Sequence, residues 1–396
     1  MTRQVSEVFC AFLKLGLTAF GGPVAHIGYF YKDFVERKQW LSEQQFAQLL
    51  SICQLLPGPA SSQLGFCIGL MRAGWVGGLV AFTAFTLPSV LLLLAFSALL
   101  PMLSSTAGQA GLHGLKIVAF AVVADAVISM YQKLCPDRLR ASIACLGAIA
   151  LCAIDSLWGQ LCVIAAGAFV GVLYCQASNQ GIKAAPVVRV SYGKNAGMLL
   201  LVVFLGLLVA LPILQNTGNS WLALAHDFYS IGALVFGGGH VVLPLLNDAL
   251  VPTGPLTQEA FMAGYGASQA IPGPMFSFAA YLGALIAPEG NALLGAAAAL
   301  VCIFMPGFLL VAGILPFWQR LAHVPWVNNA VAGINAAVVG LLAAALYNPV
   351  FTSAILGPLD MAIGLLAIAA LRLWQLPVML MVTGCVALSV AAAVIV

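Results

Sequence analysis

Two short stretches place residues that could do chemistry inside an otherwise apolar chain. The first reads QLLPGPASSQ, residues 54–63. Proline lacks an N–H and glycine is a poor helix former, so Pro57, Gly58 and Pro59 end any helix that reaches them. Pro59 suits the first position of a new helix, which puts Ser61 and Ser62 in its first turn. The first N–H groups of that helix have no intrahelical partner, and its macrodipole makes this end positive. Hydroxyls beside free N–H groups at a helix N-terminus form a site for an anion. The second stretch, QAIPGP at 269–274, repeats the break with Pro272, Gly273 and Pro274, and Ser277 follows it.

A second kind of break lies upstream of each. Gly21 and Gly22 interrupt one apolar segment, with His26 in the turns that follow, and Gly237 and Gly238 with His240 form the copy. Around these breaks the rare ionisable residues are functional candidates, because charge inside a bilayer is costly. Lys14 and Lys116 could hold an anion directly. Asp125, Glu43, His26 and His240 could take up and release protons and so couple transport to them. Simpler readings stand beside these. Lys14 could snorkel to an interface, Asp125 could pair with Lys116 or Lys14, and the PGP and FGG breaks could be hinges without a ligand. Arg72 reads as an interface marker. His226, His323, Asp155, Asp227, Asp360 and Arg372 read as loop or span-end residues.

What must position these groups follows from composition. Of 396 residues, 62% are hydrophobic and 7% charged, against about 25% charged in soluble domains. The chain is therefore expected to be an all-α polytopic membrane protein. Glu7 and Lys14 stand where a signal peptide would be apolar, so the chain reads as starting at its mature N-terminus. The ten cysteines form no CxxC pair, which suggests neither a zinc site nor a redox motif. The net charge of +3, with no basic stripe interleaved with aromatics, gives no nucleic-acid surface. There is no HExxH, GxSxG, DDxxD or Walker loop, so no enzyme and no cofactor are expected.

The chain also repeats itself. TAFGG (18–22) matches LVFGG (234–238), WLSEQQF (40–46) matches PLTQEAF (255–261), and QLLPGP matches QAIPGP. TLPSVLLL (86–93) matches FMPGFLLV (304–311), and HGLKIVAFAVVADA (113–126) matches AGINAAVVGLLAAA (332–345). The offset stays between 215 and 219 through all five blocks, which marks a duplicated unit. Continuous spans are expected near 75–101, 109–132, 141–154, 157–175, 196–214, 290–316, 326–347, 352–371 and 375–395. Lys and Arg at span ends mark the cytoplasm. Arg72, Lys133, Arg138, Arg140, Lys183, Arg189, Lys194, Arg320 and Arg372 then share one side, and the two copies point opposite ways. Inverted repeats with broken helices are the architecture of many secondary transporters. The chain divides into a first repeat (1–140), linking helices with a basic loop (141–218), a second repeat (219–350) and C-terminal helices (351–396). The FGG and PGP units could span or re-enter. Hairpins are favoured, because they bring Lys32, Arg37 and Lys38 to the basic side.

FLKLGLTAFGGPVAHIGYF (12–30) and QLLPGPASSQLGFCIG (54–69), with weaker copies at 228–246 and 269–283, resemble the chromate ion transporter family. The resemblance covers nearly the whole chain. It implies two homologous halves of opposite orientation and export of chromate, an oxyanion similar in shape to sulfate, from a bacterial cytoplasm across the inner membrane. Protons are candidate coupling ions, and a homodimer is left open. The alternatives are a sulfate or other oxyanion exchanger, a passive anion uniporter and, less favoured, a lipid scramblase or membrane enzyme. The copy reads GGGH where the first unit reads GGPV, and Asn335 replaces Lys116, so the two half-sites are unequal.

Overall fold

A computed structural model describes all residues except Met1, Ser104, 155–156, 176–189, Ser191, 237–238, 253–255, 319–323 and Val396. Gly237, Gly238, Asp155, Lys183, Arg189, Arg320 and His323 thus lie outside the described residues. Among the described residues the chain is helical throughout, with no strand. The first repeat contains α1 (Thr2–Thr18), α2 (Gly22–Phe30), α3 (Glu43–Leu55), α4 (Ala60–Leu99) and α5 (Thr106–Leu134). The linking helices are α6 (Arg138–Ala153), α7 (Leu157–Tyr174) and α8 (Lys194–Leu214). The second repeat contains α9 (Ser220–Leu234), α10 (Val242–Leu250), α11 (Gln258–Ala270), α12 (Phe278–Leu285), α13 (Ala292–Ile314) and α14 (Pro325–Ala345), and α15 (Pro358–Arg372) and α16 (Val378–Ile395) close the chain.

Among the described residues five segments are long and apolar enough to cross a bilayer: Ala60–Met102, Thr106–Leu134, Lys194–Thr217, Ala292–Phe317 and Trp326–Ala354. The protein is an integral membrane protein. The other four expected spans are shorter: α6, α7, α15 and α16 have 16, 18, 15 and 18 residues. At about 1.5 Å per residue, α15 reaches only roughly 22 Å, less than a typical hydrocarbon core.

In the first repeat the breaks are the tips of hairpins. Arg72 pairs with Glu7 at 2.7 Å near the start of α1, while Phe12 stacks on Phe34 at 4.9 Å after the chain has turned. The chain therefore enters along α1, reverses at Gly21 and Gly22, and returns along α2. Lys38 and Arg72 both lie over the Trp40 ring, at 5.5 and 5.0 Å, so the turn after the π-helical Tyr31–Arg37 segment shares the Arg72 end. The second hairpin begins at the duplicated WLSEQQF block, which proves to be a helix start. Ser42 caps α3 in a reciprocal pair with Gln45, and Thr257 caps α11 through the N–H of Ala260. These caps stabilise the helix by about 1 kcal/mol each. α3 runs to the PGP tip, and residues 60–72 of α4 return. At Ala73–Gly74 the backbone leaves helical angles and folds residues 75–99 back as the long span. A Cβ on Gly69 would collide with the Gly77 carbonyl, and one on Gly283 with the Gly295 carbonyl. Small residues allow this close approach in lipid, where packing replaces the hydrophobic effect as the driving force between helices.

The two copies are inverted. Phe82 of α4 meets Phe308 and Phe304 at 4.9 Å, while Val90, further along α4, clusters with Ala296 nearer the start of α13. The two long helices therefore run antiparallel through the centre.

Candidate functional site

Each PGP tip is bonded across to the opposite repeat. The N–H of Gly58 donates to the carbonyl of Val235 at 2.7 Å, and the N–H of Gly273 donates to the carbonyl of Ala19 at 3.0 Å. Each PGP tip is thus fastened to the FGG approach of the other repeat. The two glycines have φ of 115° and 102°, a left-handed region that residues with a Cβ rarely adopt. Neither glycine N–H is free for a ligand, because the opposite repeat uses it.

At the second PGP tip the packing leaves a cavity of about 100 Å³. Its wall combines Gly21 and Gly22 of the first FGG tip, Asp125 of α5, His240, Ser268 and Gln269 of α11, and Gly273 with Met275. Leu371 and Val378, on either side of the turn between α15 and α16, complete it. His240 Nδ1 and the Tyr265 hydroxyl are 3.0 Å apart, and Tyr265 is wholly buried. This bond fixes the ring, with Nε2 left for the cavity. Ser268 Oγ donates to the Tyr265 carbonyl at 2.6 Å, and Gln269 Nε2 donates to Ser268 Oγ at 3.2 Å. Asp125 Oδ1 accepts from Arg372 Nε at 2.7 Å, and Arg372 Nη2 donates to Ser129 Oγ at 2.9 Å. The ion pair is about one-third exposed, with side-chain values of 28% for Arg372 and 35% for Asp125. The Ser268 hydroxyl and the Gln269 amide thus already donate within α11, and the nearby Arg372 is engaged by a carboxylate.

The structure brings Gly21, Gly22, Gly273, Asp125 and His240 together here and places the other expected residues elsewhere. Ser61 and Ser62 are each 3% exposed and do not line this cavity; Ser62 Oγ has no partner among the described residues. Pro57, Gly58 and Pro59 enclose the Gln63 amide, which donates to the Pro57 carbonyl at 2.9 Å and to the Gly307 carbonyl at 3.0 Å. Pro272 and Pro274 flank the second tip, and Ser277 beyond it is bonded to Ser89 Oγ at 2.8 Å, turned away from the cavity. Lys14 lies exposed on α1, and Lys116 is half-buried on α5 outside the lining. Glu43 is exposed in the first turn of α3, where a carboxylate suits the helix dipole. His26 is wholly buried, its Nε2 3.2 Å from the Ala19 carbonyl and its ring edge-on to Phe85 at 5.2 Å. It braces the carbonyl that receives Gly273. Asp125 pairs with Arg372, not with Lys116 or Lys14. His113 pairs with Asp360 at 2.9 Å.

Sequence reasoning passed over Arg372, Ser268 and Tyr265. Arg372 looked like the end of a span and is 247 positions from Asp125, so no local pattern joins them. Gln269 opens the QAIPGP motif, and its place in the duplication was the one available signal.

The profile of the family described as Chromate transporter matches residues 6–172 and 222–390. A chromate transport protein of Pseudomonas aeruginosa is 30% identical over 85% of this chain and 79% of its own length. A probable chromate transport protein of Synechococcus elongatus is 28% identical over 87% and 83%. A chromate transport protein of Cupriavidus metallidurans is 26% identical over 87% and 82%. No solved structure matches.

Proposed function

Because the chain belongs to the chromate transporter family, we propose that it is a secondary transporter carrying chromate or a related divalent oxyanion out of the bacterial cytoplasm. The family consists of transporters, not enzymes, and this protein is an ion transporter of the inner membrane. The observation that carries the finer reading is the Asp125–Arg372 pair beside the cavity at the second PGP tip. A dianion entering there meets His240, Gln269 and Ser268 as hydrogen-bonding groups and Arg372 as its cation. The oxyanion and the Asp125 carboxylate compete for the guanidinium. Charge-assisted bonds of this kind are the strong ones, and a guanidinium fork suits an oxyanion.

That competition links anion to proton. A proton on Asp125 removes its claim on Arg372 and removes a repulsive charge from the cavity wall. The anion therefore binds more tightly when Asp125 is neutral than when it is ionised. Outward movement has a driving force of its own. An inside-negative potential favours export of a charge of two by about 4.6 kcal/mol per 100 mV. The direct test is flux in proteoliposomes, with chromate and sulfate in competition and with potential and pH gradients imposed separately. Saturable chromate movement that follows the potential supports the reading. An absence of flux for both anions overturns the substrate assignment.

A further inference from the structure

An open groove of about 580 Å³ lies at the Arg72 end of the first repeat. Arg3, Ser6, Glu7 and Cys10 of α1 form one wall, and Lys38 and Trp40 form the other. The charges that line it do not cancel. Glu7 is the one carboxylate of the lining, and it accepts from Arg72 at 2.7 Å. Arg72 stands behind the lining, over Trp40. Arg3 lies 3.4 Å from the same carboxylate, and its side chain is 93% exposed. Lys38 is exposed over the Trp40 ring and enters no ion pair among the described residues. The nearby Asp33 serves Arg37 instead, at 3.6 Å. Two cations therefore face the groove with their single carboxylate already engaged.

The groove continues into the apolar part of α1. Residues 3, 6, 10, 14 and 17 recur every three or four positions and so share one face of the helix. All five are exposed. That face is polar at Arg3 and Ser6 and apolar at Leu17, which is 55% exposed. A phospholipid has the same order, an anionic head followed by an apolar chain. Lys14 lies between the two ends. Charge is costly at bilayer depth, and Lys14 also enters no ion pair among the described residues. Side chains of a helix lean toward its N-terminus, so Lys14 leans toward the floor of the groove at Cys10, one turn above it. Trp40 supplies an indole, a group suited to the headgroup level.

We propose that this groove binds an anionic phospholipid, with its phosphate between Arg3 and Lys38 and an acyl chain laid along α1 past Cys10 and Leu17. Basic pockets on the cytoplasmic side of membrane proteins take such heads. The bound lipid would join α1, the entering arm of the first FGG hairpin, to the turn that follows its return arm. The proposal does not depend on which anion the protein carries.

The test reads lipid binding, not transport. Full-length protein stripped of lipid in detergent is titrated with phosphatidylglycerol or with phosphatidylcholine, and bound lipids are counted by native mass spectrometry. Wild type is expected to hold its first phosphatidylglycerol at least about tenfold more tightly than phosphatidylcholine, on a scale of roughly fivefold for each basic residue near the surface. Arg3→Gln with Lys38→Gln should lose most of that preference. Lys133→Gln with Arg138→Gln, exposed basic residues around the α5–α6 turn, should keep it. Fluorescence quenching in phosphatidylcholine nanodiscs gives a second reading. A small fraction of brominated phosphatidylglycerol should quench wild type more than the same fraction of brominated phosphatidylcholine, and Trp40→Phe should remove the difference. Equal affinity for the two lipids, an undiminished preference in the Arg3 and Lys38 variant, or an equal loss in the Lys133 and Arg138 variant would each overturn the proposal. So would equal quenching by the two brominated lipids, or displacement of the lipid by inorganic phosphate at constant ionic strength.

Discussion

The two PGP tips share a sequence motif, a left-handed glycine and a hydrogen bond to the opposite repeat, yet they differ in what surrounds them. At the first, Gln63 spans from the Pro57 carbonyl to the Gly307 carbonyl and fills the space beside Gly58. At the second, Phe278 stands in the place of Gln63, Ser277 is tied to Ser89, and a cavity with Asp125 and His240 opens beside Gly273. Duplication supplied a symmetric frame, and side-chain divergence filled one tip and left a cavity at the other. A buried backbone needs its carbonyls satisfied, and Gln63 meets that need at the closed tip. The open tip leaves polar groups facing a space.

The strongest way to break this comparison is to remove the cation of the open tip. Arg372→Gln is expected to lower transport kcat/KM for chromate by about 10- to 100-fold, the scale of one or two charge-assisted hydrogen bonds. Proteoliposome flux reads it, and an unchanged value would take the anion out of this cavity. Next, Asp125→Asn frees Arg372 from its competing carboxylate and should tighten chromate binding several-fold, as read by a binding titration at fixed pH; weaker or unchanged binding would remove the competition. At the closed tip, Gln63→Leu leaves two buried carbonyls without their donor. It should destabilise the protein by about 1–3 kcal/mol, seen as a lower thermal midpoint, with KM for chromate unchanged in the folded fraction. The smallest effects belong to groups that sit outside the cavity. Ser61→Ala with Ser62→Ala, and separately Lys14→Gln, should change KM less than about twofold, in keeping with substitutions far from a site. A large change from either would move the anion to the first repeat.

Much of the frame was legible in the sequence because it is written locally. Prolines and glycines punctuate the chain, basic residues mark one side, and five matched blocks reveal the duplication. Even the WLSEQQF match has a local cause, since it encodes a helix cap. The chemistry was less legible because it is made between distant segments. Nothing near Arg372 points to Asp125, and Gln63 reads as an ordinary residue of a new helix until Gly307 is placed against it. Ser61, Ser62 and Ser277 carry the right atoms at the right spacing for a helix N-terminus. Their orientation depends on what the opposite repeat presses against them, and that is not encoded in their neighbourhood.

The crossed bonds from Gly58 to Val235 and from Gly273 to Ala19 also bear on how the protein is made. The first tip cannot satisfy its donor until a residue 177 positions later has been synthesised. At about 5–20 residues per second, that interval is roughly 10–35 s. For that time the first repeat must keep its tip hydrated or in the care of the insertion machinery. Neither half can close alone, and a gene split between the repeats would have to supply both products to the same patch of membrane.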